Sequence, residues 1–533
     1  MKRRRTDWIA WFVVGLIACQ YAALQLWLDV QQHDGPRNLH WGLYVLEEPG
    51  FLLTVEDHYS RVVGYPPPSP EMAPMGLANG RSYPLHPWWG PTYVLLVTFV
   101  WVLTHSYTAI QLITPVLAGA LIVLTYCFGR TYTSVGWALL GAAMLGLFPN
   151  FRETAVIALV EPISALLLLI SFWAWLERRW WLTALAALIA LFGKIDMIVI
   201  YLGVIGLMTL LPEVAAPRRT MGAWVRALRW RALIQPAGLI TLWLPGILIT
   251  AWVVFRYGIL GIKTTVWGSP SPRTFSLQVF EIIDQFFLIS RPLAYTGLAL
   301  LVVLAVVGAL RGAAPLRVRQ LLGIWFGLGV FILLVYCATP GASNNPRVFI
   351  PGLPPMILLV VLGLQVLAKQ TRLISVALLG FLYAQALLST TLDLVTVAQR
   401  YATFRPVIAE LRTLPQGVTM TDLYWHAVLY ARQPATWFES DEVFGRSILR
   451  NQANFQAYLE STPIRYVIFP TDEREIDAYM QNPWHDLQVS LPFGRAAEWN
   501  GSYSMITPDI REYLERFPKR RAGFYTIYIV RDS

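Results

Sequence analysis

The sequence predicts an all-α polytopic membrane domain of about 11–13 transmembrane helices, followed by a small C-terminal α/β domain. Composition is the first observation: 56% of the residues are hydrophobic and 14% charged, where soluble domains carry about 25% charged residues. Block length is the second. The apolar residues come in runs of roughly 20, enough to cross ~30 Å of hydrocarbon as helix. Lipid leaves no partner for a free amide or carbonyl, so such runs must be helical. The third is a change of character near residue 393, after which apolar blocks stop and charges alternate.

The first run, Trp8–Leu28, follows Lys2-Arg3-Arg4-Arg5 and has no small-residue cleavage site, so it reads as a retained span that starts in the cytoplasm. A loop over 29–91 holds Asp34, Glu47, Glu48, Glu56, Asp57 and Glu71. Runs at 90–104, 107–128 and 135–148 come next, the last stopped by Pro149-Asn150. A helix from about 155 to 176 ends at Glu177-Arg178-Arg179. The apolar stretch 180–211 is too long for one span, and Gly193-Lys194-Ile195-Asp196 divides it. Further runs lie near 234–255, 292–310, 320–338, 348–367 and 373–393, with Asn344-Asn345-Pro346-Arg347 before one of them. Beyond 393, Ile464–Phe469 and Phe524–Val530 read as strands and Asn454–Glu460 as an amphipathic helix. The domains are thus 1–393, a transmembrane domain with its outer loop at 29–91, and 394–533, an extracytoplasmic α/β domain.

The net charge of +10 does not indicate nucleic acid, because it is concentrated in short loops. Arg218, Arg219, Arg226, Arg229 and Arg231 share one loop, and Arg311, Arg317 and Arg319 another, as expected of cytoplasmic loops. From 394 onward, 15 Lys and Arg face 16 Asp and Glu. Counting back from the basic loops puts 256–291, 339–347 and the C-terminal domain outside. Counting twelve runs forward puts that domain inside. One short run between 134 and 211 must therefore be re-entrant or differently divided, with Val135–Phe148 the foremost candidate. Cys19, Cys127 and Cys337 all lie in apolar blocks, which leaves no disulfide framework for the loops. Walker loops, Gly-x-Gly-x-x-Gly turns and Gly-x-Ser-x-Gly elbows are absent from the sequence.

Ionisable residues at membrane depth are costly and often functional. Glu161, followed by Pro162, lies in an apolar stretch, where the alternative is a charge reaching the interface. Lys194 and Asp196 lie at a break between spans, as a ligand site or as a self-neutralising pair. Arg347 can fork onto phosphate oxygens or anchor at headgroups. A transferase also needs a carboxylate that takes a proton from an attacking hydroxyl or amine. Asp34 lies close to the first span, and Asp57 sits in Glu56-Asp57-His58-Tyr59. His33, His40 and His58 accompany these acids, but no metal-ligand spacing is present, so no cofactor is expected.

These residues, in this order, resemble the GT-C superfamily of membrane glycosyltransferases. The likeness is to the dolichyl-phosphate-mannose protein mannosyltransferases and bacterial aminoarabinose transferases, and it covers roughly 1–393. It is carried by Asp34-Gly35-Pro36-Arg37 after the first span and by Tyr83-Pro84-Leu85-His86-Pro87 before the next. Pro149-Asn150-Phe151-Arg152 with Glu161, Gly193-Lys194, and Arg347-Val348-Phe349-Ile350-Pro351 complete it. Two departures stand out: Asp34 lacks the acidic neighbour that the family's first loop often has, and Tyr83-Pro84-Leu85 lacks a second proline. The resemblance implies inverting transfer of a sugar from a polyprenyl-phosphate donor to a glycan, lipid or protein acceptor at the outer face of the cell membrane. Asp34 would be the base, with Asp57 in reserve, and Glu161 would assist. Lys194 and Arg347 would hold the lipid phosphate, and Arg152, Tyr83 and His86 would contribute to substrate binding. A transporter or flippase of a lipid or sugar is the alternative from another class, and a non-catalytic subunit a third.

Overall fold

The computed structural model describes residues 2–28, 39, 42–43, 46, 91–194, 197–212, 228–254, 291–338, 346–421, 423–433, 435–436, 451–461, 464–471 and 507–531. Among these, five helices are long and apolar enough to cross a membrane, and seven shorter apolar helices accompany them. The chain is a multi-pass membrane protein.

The helices follow the apolar runs closely. They are α1 (Lys2–Leu28), α2 (Pro91–Thr104), α3 (Tyr107–Gln111), α4 (Ile113–Tyr132) and α5 (Val135–Gly146). The short α6 (Pro149–Val156) leads to α7 (Glu161–Leu176), α8 (Trp180–Leu191) and α9 (Met197–Leu210). Next come α10 (Pro236–Val254), α11 (Arg291–Arg311) and α12 (Leu316–Ala338). A 3₁₀ turn, Pro346–Gly352, precedes α13 (Leu353–Gln370) and α14 (Arg372–Thr413). Gly193-Lys194 does separate two helices, α8 and α9.

Helix α13 is the central post, buried continuously from Leu353 to Leu364. Its closest neighbour is α11. A Cβ on Gly308 would lie 1.9 Å from the Leu359 carbonyl oxygen, and one on Gly363 would lie 2.1 Å from that of Leu304. Small residues at a crossing bring backbones together where lipid supplies no hydrophobic drive between helices.

Polar contacts mark the two ends of the bundle. At one end Arg130 pairs with Asp7 at 2.9 Å, and Arg317 donates to the Met208 carbonyl at 2.8 Å. At the other, Arg405 donates to the carbonyls of Trp27 (2.7 Å) and Leu28. Helix α2 is one of the short apolar helices, tied to its neighbours at both ends. Its Thr92 bonds the carbonyls of Ile189 and Phe192, and the Thr114 hydroxyl bonds that of Tyr93. Its other end turns through His105, at φ 47°, straight into α3. Both ends of α2 therefore lie toward the same end of the bundle, and its ~21 Å length is short of a full crossing. By contrast α5, continued by α6, reaches that end, with Gly146 accepting from Tyr21 at 2.8 Å.

Helix α14 has 42 residues, about 63 Å and twice the hydrocarbon thickness. The expected boundary at 393/394 falls inside it. Its last turns bury Val407, Ile408 and Leu411 in the C-terminal domain. There β1 (Val418–Met420), α15 (Tyr424–Ala431), β2 (Ala435–Thr436), α16 (Gln452–Ser461) and β3 (Ile464–Pro470) are followed by α17 (Pro508–Leu514), β4 (Lys519–Ala522) and β5 (Tyr525–Ile529). The sheet order is β2-β1-β3-β5-β4, with β1 parallel to β2 and β3, and β5 antiparallel to β3 and β4. The two expected strands and the expected helix are β3, β5 and α16. One apolar cluster joins this domain to the bundle, with Leu28, Val97 and Ile110 in the same core as Val407, Tyr430 and Ile468.

Candidate active site

Helix α7 begins at Glu161, so the expected helix from 155 is broken. Residues 157–160 form a buried, non-helical segment between α6 and α7. Irregular backbone survives at membrane depth only inside protein or beside a cavity, and here Thr114 caps it by donating to the Leu159 carbonyl at 3.2 Å. Pro162 suits the first turn of α7 because it has no N–H to lose there. The Glu161 carboxylate stands at the positive end of the helix.

Three elements bring charge to this turn. Lys194 follows the end of α8 and donates to Glu161 Oε1 at 3.0 Å. Arg347, from the 3₁₀ turn, places Nε 3.5 Å from the same oxygen. Glu161 is fully buried and Lys194 is 3% exposed, so both side chains are enclosed by protein. The Arg347 side chain, 18% exposed, turns toward Glu161. Arg152, 3% exposed, lies on α6, which packs against both α7 and the 3₁₀ turn. One carboxylate and two cations thus share this corner, giving a net charge of +1 among Glu161, Lys194 and Arg347.

The second carboxylate oxygen, Glu161 Oε2, is buried without a hydrogen-bond partner among the described residues, and so is Ser164 Oγ. Residues three apart share a helix face. A buried polar atom left unpaired costs about 1–3 kcal/mol, and a site that tolerates two beside paired cations is built around polar chemistry. Ser164 was not legible as a site residue, because a serine in an apolar run carries no charge signal.

Gly193 sets the approach of α8. A Cβ there would lie 3.0 Å from the Ala190 carbonyl, 3.2 Å from Val160 Cγ2 and 3.4 Å from Ser164 Oγ. We predict that Gly193→Ala costs about 1–3 kcal/mol through overpacking and draws Lys194 away from Glu161. Thermal unfolding of the purified variant checks this, and an unchanged melting temperature would refute it.

Glu161, Lys194 and Arg347 therefore come together, with Arg152 on an adjoining helix. Asp34, Asp57, Tyr83 and His86 lie outside the described residues, as do Asp196 and the histidines of the first loop. Among the described residues no three His, Cys, Asp or Glu side chains converge as metal ligands.

Neither protein-family models nor curated proteins match this chain. Solved structures do. ArnT from Cupriavidus metallidurans in the apo state superposes with a TM-score of 0.57 over 98% of this chain and 98% of that one, at 13% identity. This is the GT-C fold. A second ArnT structure, bound to undecaprenyl phosphate, covers 89% of this chain and 95% of its own, with a TM-score of 0.52 at 14% identity. The GT-C likeness extends to the archaeal oligosaccharyltransferase AglB from Archaeoglobus fulgidus, in complex with an inhibitory peptide and a dolichol-phosphate. Its TM-score is 0.52 at 10% identity, over 99% of this chain and 75% of that one.

Proposed function

We propose that this GT-C chain is a glycosyltransferase that moves a sugar, with inversion, from a polyprenyl-phosphate donor to an acceptor at the outer face of the cell membrane. The observation that carries the reading is the buried corner of Glu161, Lys194 and Arg347 with its excess positive charge. A lipid phosphate is the complement of such a corner, and guanidinium and ammonium groups together suit its oxygens. The bound lipids of ArnT and AglB support the same donor class.

The acceptor hydroxyl or amine attacks the anomeric carbon as the bond to the phosphate oxygen breaks. Asp34 takes the acceptor proton, with Asp57 the second candidate. Lys194 and Arg347 stabilise the negative charge gathering on the leaving lipid phosphate. Glu161 fixes both cations, so that they need no rearrangement as the bond breaks. The basic loops and the N-terminus face the cytoplasm, and the C-terminal domain faces outward.

The test supplies purified protein with a labelled polyprenyl-phosphate sugar and candidate acceptors, for Asp34→Asn and Asp57→Asn separately. One of the two should lose about 100-fold or more in turnover while still binding the lipid phosphate. Full activity in both would overturn the base assignment. Movement of substrate across vesicles with no covalent product would replace the transferase reading with transport.

A further inference from the structure

A cavity of about 260 Å³ opens where the start of α3 meets the ends of α14 and α15. Its walls include Tyr107, Gln111, Arg405, Ile408, Arg412 and Tyr430. The polar floor is buried and fixed. Gln111, 3% exposed, and Tyr430, 7% exposed, are joined by a bond from the Gln111 amide to the Tyr430 hydroxyl at 3.0 Å. Gln25 of α1 in turn donates to Gln111 Oε1 at 3.1 Å. Arginines form the rim. Arg412 Nε donates to the Tyr430 carbonyl at 2.8 Å, which holds its fork in place. Arg405 is pinned to the end of α1. Arg432 lies 5.3 Å over the Tyr107 ring.

Among the described residues, none of these three guanidiniums forms an ion pair with a carboxylate. The acid between the two on the same helix, Glu410, is engaged by Arg520 at 2.9 Å. Two guanidiniums lining a small polar floor, with Arg432 stacked on the Tyr107 ring, complement an anion with several acceptor oxygens, which is the geometry that arginine forks read best. The volume lies below the roughly 300 Å³ at which drug-sized pockets begin, so it suits a headgroup rather than a whole lipid. The cavity sits at the edge of the spans, since Leu28 closes α1 and Tyr107 opens the span Tyr107–Tyr132. It shares no residue with the corner around Glu161.

We propose that this cavity is a second anion site, which takes the phosphate group of a phosphomonoester or phosphodiester, carried by a lipid headgroup or a soluble molecule. The proposal does not depend on sugar transfer.

The experiment uses the full chain. In neutral detergent, inorganic phosphate and glycerol 3-phosphate are titrated and read by ³¹P line broadening. In nanodiscs, retention of phosphatidylglycerol is compared with that of phosphatidylcholine by native mass spectrometry. Arg405→Gln and Arg412→Gln should each weaken binding about tenfold or more, while Arg520→Gln leaves it unchanged. Loss in the soluble arm identifies a soluble ligand, and loss in the phosphatidylglycerol arm a headgroup; either supports the site. Binding equal to wild type in both arms overturns it. Arg432→Asn guards against misfolding, because asparagine accepts the φ of 58° at this position and the arginine makes a ring contact there. If only this variant can be purified, a loss of about threefold or more supports the site, and unchanged binding overturns it.

Discussion

Glu161→Gln is expected to remove transfer activity and to destabilise the protein by about 3–5 kcal/mol, the usual cost of leaving buried charge without its counter-ion. The substitution keeps the shape of the side chain and removes the charge that Lys194 and Arg347 share. The corner then carries one more uncompensated positive charge. Two measurements separate the structural effect from the functional one. Added polyprenyl phosphate should raise the stability of the variant more than that of the wild type, because an anion replaces the missing carboxylate and binding to the folded state adds stability. The double variant Glu161→Gln with Lys194→Met should recover much of the stability, since removing both partners of a buried pair is often near neutral, yet stay inactive. A stable and fully active double variant would reduce the pair to scaffolding and sink its assigned role.

The second large effect concerns the post at the centre of the bundle. Gly308→Val or Gly363→Val should prevent recovery of folded, monodisperse protein. At both positions the obstacle to a Cβ is carbonyl backbone, at 1.9 and 2.1 Å, which cannot move aside as the tip of a flexible side chain can. Helices α11 and α13 would have to separate, breaking the packing of Leu304 and Ala305 against Leu359 and Leu362, all buried. Even alanine should be poorly tolerated. Gly136→Ala and Gly380→Ala are the controls: nothing lies within 4 Å of a Cβ at either site, and alanine is the better helix former. Size-exclusion profiles and thermal unfolding decide the matter. A well-behaved Gly308→Val protein would show that the separation of these helices is not fixed.

Much of this architecture is written in hydropathy, because lipid demands helices wherever a run is long enough. The break at Gly193-Lys194 and the acid at Glu161 were legible for the same reason: charge and glycine stand out against an apolar background. The start of α7 was not. Residues 155–160 are as apolar as the helix that follows, and the Thr114 bond that caps the non-helical turn comes from another helix. Nor was the continuation of α14 past residue 393, where hydropathy stops but buried contacts from Val407 to Leu411 keep the helix going. Strands β1 and β2 have three and two residues, too short for a period to register. The arginine-rimmed cavity joins residues more than 300 apart in sequence, and each of its arginines looks alone like an ordinary surface charge.

The buried row from Gln25 through Gln111 to Tyr430 has a consequence for how the outer domain seats itself. Apolar surfaces forgive sliding, and the shared core of Leu28, Ile110 and Val407 would permit many near-equivalent dockings. Amide and hydroxyl groups do not forgive it, because a shift of one residue strands each of them in an apolar wall. The row acts as a key cut into a greasy lock: it adds little to the strength of docking, but it admits one alignment, the one that sets Arg405 and Arg412 of α14 beside Tyr430 of α15.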